Sequence, residues 1–203
     1  MKKTLLGFML SVSLIAGMAV TASADDTTSN KSNGQVGFEK GSITIDNQNN
    51  GTDTDAANLD FGLKNKIDST TDSYPNVNTD AKISVSDLRG DPTGWNLSVA
   101  QDSYFETTDK DTLNGSKITL VSSYSTGSSN SGEEAPTLVK KVELNPEDGS
   151  TPFMTAASGQ GNGNSIADIS QSTLSVPANS ARLANKTYST TLTWELTSQP
   201  GNQ

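Results

Sequence analysis

The sequence predicts an all-β fold, an antiparallel β-sandwich-like single domain, and three observations predict it. Apolar residues recur at every second position in six short runs. Clusters of Asn, Asp, Gly and Pro, the residues that suit tight turns, separate those runs. No long stretch carries the 3.6-residue repeat of an amphipathic helix; at most a short turn is expected near Ala181 to Asn185.

The elements follow in chain order. Lys2 and Lys3 open a basic segment, Leu5–Leu10 and Val12–Val20 form an apolar stretch, and Ala22-Ser23-Ala24 supplies small residues for cleavage. Residues 1–24 therefore read as a secretory signal peptide, cut after Ala24. The stretch is too short, and too interrupted by Ser11, Ser13 and Gly17, for a membrane anchor. Residues 25–34 are polar and unpatterned, a flexible N-terminal tail, and residues 35–203 form the domain.

Within that domain Ile43 and Ile45 alternate with Ser42, Thr44 and Asp46, and Ile83 and Val85 with Lys82, Ser84 and Ser86. Trp95, Leu97 and Val99 alternate with Asn96 and Ser98. Ile118 and Leu120 follow the same rule, as do Leu174 and Val176, and then Leu192, Trp194 and Leu196. Period two buries one face and wets the other, as an antiparallel sheet requires, and the Thr-rich outward positions suit strands. Asn49-Asn50-Gly51, Arg89-Gly90-Asp91-Pro92, Asn114-Gly115, Asn145 to Gly149 and Gly159 to Gly163 mark turns, so roughly eight to ten strands are expected. Ser122 to Gly132 reads as an exposed loop.

Composition narrows the chemistry. The chain has 203 residues, no Cys and no His. That removes Ser-His-Asp and Cys-His nucleophiles and ordinary Zn or Cu sites, and a packed core has to do what disulfides do elsewhere. Loss of the leader takes the formal charge from −9 to −11 over 179 residues, of which Ser, Thr and Asn supply 66. An acidic chain of this kind is no nucleic-acid binder. Asp46 to Gly51 resembles the start of a calcium loop, but Ala57 stands where the bidentate carboxylate belongs, so a polar turn is the better reading. The Gly159-x-Gly161-x-Gly163 run has no helix behind it to present to a phosphate and is also a turn. Carboxylates sufficient for a glycosidase pair exist, but they lie mostly in turns; no enzyme activity, cofactor or resident metal is expected.

The two tryptophans stand in matched frames, Gly94-Trp95-Asn96-Leu97 and Thr193-Trp194-Glu195-Leu196. In a strand, Trp-x-Leu places both apolar side chains on one face, which suits a core; a ring at a sheet end can also stack on a ligand. The two frames are expected on neighbouring or facing strands, where they share one core. Trp194, flanked by Leu192 and Leu196, is expected to be the more structural. Trp95, which follows the Arg89–Gly94 loop, is expected to be the one that faces ligand.

These motifs resemble the WxL cell-wall-binding domain of low-GC Gram-positive bacteria. Val85-Ser86-Asp87-Leu88-Arg89-Gly90 with Gly94-Trp95-Asn96-Leu97 is similar to the family's first motif and its preceding Asp-x-Arg. Leu113–Leu120 resembles the segment that follows. Val176-Pro177-Ala178 with Tyr188 to Leu196 resembles the C-terminal motif. The chain departs from the pattern after the Gly-x-Gly segment, where Asn164-Ser165-Ile166 replaces a frequent aromatic. The resemblance implies a secreted, cell-wall-associated protein that binds peptidoglycan non-covalently, with other cell-surface proteins as further partners. Asp87, Arg89, Trp95, Leu97, Tyr188, Trp194 and Leu196 are then the expected ligand-binding residues. No lipid-accepting Cys, sorting motif or hydrophobic tail is present, so such a protein would need a non-covalent hold. Because wall and protein are both anionic, sugar stacking and hydrogen bonds are the expected contacts, or else Ca²⁺ bridging. The alternative is a protein-interaction subunit that docks a partner surface protein.

Overall fold

The computed structural model describes residues 30–46, 57–70, 72–91, 93–125, 128–130 and 135–198. The leader with its cleavage site, the turn at Asn49–Gly51, the calcium-loop-like segment past Asp46 and the last five residues lie outside the described residues. The chain divides into a unit ending at Gly37 and a second unit, Phe38–Gln203. In the first, residues 30–37 are exposed and carry no regular structure. The second carries all the described strands.

Those strands are β1 (Ile43–Asp46), β2 (Asp72–Pro75), β3 (Lys82–Asp87), β4 (Trp95–Gln101), β5 (Lys117–Val121), β6 (Ser123–Tyr124), β7 (Ser129–Asn130), β8 (Thr137–Leu138), β9 (Lys141–Leu144), β10 (Thr151–Ala156), β11 (Gly163–Asp168), β12 (Thr173–Val176) and β13 (Leu192–Ser198). There is no helix among the described residues. Thirteen strands exceed the eight to ten expected, because several are two-residue pieces too short to show a period. All six alternating runs are strands.

The strands form three antiparallel sheets. One has the order β1-β3-β11-β6, with β7 also on β11; the second is β13-β4-β10-β8; the third is β2-β12-β5-β9. Side chains from all three converge on one hydrophobic cluster that includes Ile83, Val85, Trp95, Leu97, Val99, Ile118, Leu120, Phe153, Met154 and Val176. The arrangement is the sandwich-like all-β domain that alternating runs require, since each sheet can bury only one apolar face.

The middle sheet carries both Trp-x-Leu frames on paired neighbours. In the β4–β13 ladder Leu97 lies opposite Leu196, Val99 opposite Trp194 and Trp95 opposite Ser198. Directly opposed residues share a face, so both motifs point into the same core, a hundred residues apart in sequence. On the other side β10 pairs β4 with a register shift between Pro152 and Met154. The extra residue is Phe153, and the bulge lets Phe153 and Met154 both be fully buried instead of alternating in and out.

Candidate functional site

The seven expected ligand residues separate into two places. At one end of the middle sheet Asp87, Arg89 and Trp95 are built into the interior. Trp95 is 0% exposed. Its Nε1–H donates to the carbonyl of Gly161 at 3.4 Å, and the Gly159–Gly163 turn roofs the ring. Gly161 has φ +73, and a Cβ there would stand 2.7 Å from Ala156 Cβ and 2.8 Å from Trp95 Nε1. Glycine is thus required twice over, by backbone conformation and by the indole beneath it. At Gly94 a Cβ would sit 2.2 Å from the Ala156 carbonyl oxygen, so close approach of the two chain segments sets that residue. Gly161→Ala is expected to destabilise the domain by about 2–4 kcal/mol in urea unfolding.

Asp87 and Arg89 form a buried two-pronged pair, 2% and 8% exposed. Arg89 Nε donates to Asp87 Oδ1 at 2.8 Å and Nη2 to Oδ2 at 2.7 Å. The same guanidinium donates to the Thr93 carbonyl at 2.8 Å and to Ser198 Oγ at 3.2 Å. One side chain thereby ties the end of β3, the loop leading into Trp95 and the end of β13. The Asp87 hydrogen bonds hold the Arg89 pKa above its ordinary value. Leu97 is fully buried. The structure thus reverses the expected division between the tryptophans: Trp95 is interior because the glycine turn closes over it, while Trp194 is only partly buried.

Trp194 opens onto the second place, a cleft of about 880 Å³. One wall is the segment from Ala57 to Ile67, with Leu59, Phe61, Leu63 and Ile67 turned to the cleft. Residues between Arg182 and Leu192, together with Trp194, also line it, as do Tyr74, Phe105, Ile118 and Leu174. Phe61 and Phe105 meet edge to face at 6.1 Å, and Phe153 packs edge-on against Trp194 at 5.0 Å. Leu63 and Ile67 remain 77% and 57% exposed at the rim. A concave, mostly apolar surface with exposed apolar lips is the general form of a ligand site.

Hydrogen bonds shape the walls. Tyr188 Oη accepts from the Leu183 N–H and donates to the Ala181 carbonyl, each at 3.0 Å, and so closes the 181–188 loop. Arg182, the other of the two arginines in the chain, donates to Asp72 Oδ2 at 2.9 Å and to the carbonyls of Asp68, Thr70, Val176 and Pro177. Tyr74 Oη donates to Asp72 Oδ2 at 3.1 Å; burial, and then that bond, raise its pKa. Leu196 is partly buried farther along β13 and does not line the cleft. The Ala57–Ile67 wall was not among the expected site residues. Its Leu59, Phe61, Leu63 pattern over an otherwise polar stretch is the signal that could have found it.

Among the described residues no three Asp or Glu side chains gather as a cation site. What the geometry defines is an all-β domain whose core takes in both motifs and which carries an apolar cleft beside the second. The family model described as WxL domain, surface cell wall-binding, matches residues 23–200, and the chain belongs to that family. Neither the curated proteins nor the solved structures give a match.

Proposed function

We propose that this protein is exported by its N-terminal leader and holds non-covalently to peptidoglycan, without catalysis, through the cleft beside Trp194. The observation that carries the reading is membership, over residues 23–200, of a family described as surface cell wall-binding. The cleft supports it as the surface where that binding takes place, since apolar side chains there stay open to solvent. Asp87, Arg89, Trp95 and Leu97 then serve the scaffold. Trp194 and Tyr188 serve the cleft, the first by its ring and the second by holding the wall loop.

Purified protein-stripped wall tests this directly. The protein is expected to sediment with it in high salt and in EDTA, because like charges on wall and chain leave attraction to apolar and hydrogen-bonded contacts. Protein that stays in the supernatant would favour a partner-docking subunit, and release by EDTA alone would favour a calcium bridge. Trp194→Ala should cost about 2 kcal/mol in stability, as the ring is only partly buried, yet weaken wall binding by about tenfold.

A further inference from the structure

We infer that the cleft takes the peptide of peptidoglycan rather than its glycan, laid as an extended segment along the free edge of β13; the inference rests on the cleft being the wall contact. β13 is the edge strand of its sheet. The Asp102 N–H donates to the Thr191 carbonyl at 3.0 Å, one step before the pair Leu192–Gln101. Antiparallel ladders alternate bonded and non-bonded pairs, so Thr193, Glu195 and Thr197 turn their amides to β4. Leu192, Trp194 and Leu196 turn theirs to the open edge, where they bond no other described residue. Leu192 and Trp194 also line the cleft. An open row of N–H and C=O groups beside an apolar trough is complementary to a peptide: its amides pair with the edge and its small side chains enter the trough.

A glycan fits less well. Stacking on a sugar needs a flat ring face, and Trp95 is buried, Trp194 is already in edge-to-face contact with Phe153, and the Tyr74 and Tyr188 rings are held by hydroxyl bonds to Asp72 and to the 181–188 loop. Charge points the same way. In a chain of formal charge −9, the cleft lining carries Lys66, Arg182 and Lys186 against Asp60. Arg182 is paired with Asp72 and Lys186 with Asp109, whereas Lys66 has no ion pair among the described residues. In intact peptidoglycan the lactyl carboxyl of each peptide-bearing muramic acid is tied up in its amide to the stem, so the free carboxylates belong to the peptide, and Lys66 is placed to meet them.

The test is competition for wall-bound protein by two soluble fragments of the same wall: peptides released by an amidase, and glycan strands freed of peptide. The peptides are expected to release the protein and the glycan strands to leave it bound. Lys66→Glu should weaken sedimentation by about fivefold with unchanged melting, since Lys66 is exposed. Release by glycan strands, or wild-type binding by Lys66→Glu, would overturn the inference while leaving the wall reading intact. Failure of the wild-type chain to bind intact wall would overturn both.

Discussion

Trp95→Ala is expected to destabilise the domain by about 3–5 kcal/mol, the range for an aromatic side chain removed from a close-packed interior. A domain of this kind has about 5–15 kcal/mol in all, so the variant should melt far below wild type. The reason is local and threefold. The ring is wholly buried, the Gly159–Gly163 turn is shaped around it, and its strand β4 holds β10 on one side and β13 on the other. Removing the indole leaves a void whose roof is a turn with strained-for-others backbone at Gly161, which has little freedom to collapse inward. Urea unfolding of the purified variant measures the effect. A loss under about 1 kcal/mol would mean that the ring is not the core element described.

The second large effect is expected from the Asp87–Arg89 pair. Asp87→Ala or Arg89→Ala alone should cost about 3–5 kcal/mol, because each leaves a buried charge without its partner. Arg89→Lys should recover little, since one ammonium cannot reach both carboxylate oxygens, the Thr93 carbonyl and Ser198 Oγ at once. Replacing both residues by apolar ones should cost clearly less than either single change. Thermal melting of the four variants checks the order, and a harmless Asp87→Ala would contradict it. If the pair instead touched wall, the single changes would lower binding without lowering the melting temperature.

The strands with one wet face were legible in the sequence. Ile83 and Val85, Trp95 to Val99 and Leu192 to Leu196 announce themselves because alternation follows directly from the pleat. Pairing of the two Trp-x-Leu frames could likewise be expected from their shared apolar face. What stayed hidden has physical causes. β11 buries Ser165, Ile166 and Ala167 in succession, and β10 is bulged at Phe153, so neither alternates cleanly. β9, with Val142 and Leu144 buried and Lys141 and Glu143 exposed, alternates just as β1 and β12 do and was open to the same reading. The inversion of the tryptophans was hidden for another reason. Which ring is covered depends on where the Gly159–Gly163 turn folds back, and sequence distance to β4 does not show that. Leu192 and Leu196 suggested a buried Trp194, but among the described strands β13 has a neighbour on one side only. The cleft wall at Ala57–Ile67 does space Leu59, Phe61 and Leu63 at alternate positions, but it forms no strand, so that pattern marked no element and no ligand surface.

The first motif builds the core of the domain, and we propose that the cleft beside the second holds the wall. Sedimentation of a Leu63→Ser, Ile67→Ser variant with protein-stripped peptidoglycan tests it most directly. Both side chains are exposed on the cleft rim, so the melting temperature should match wild type within a few degrees. This folded variant is expected to stay largely in the supernatant while wild type sediments. Sedimentation equal to wild type would place the wall contact elsewhere on the molecule and rule out the cleft.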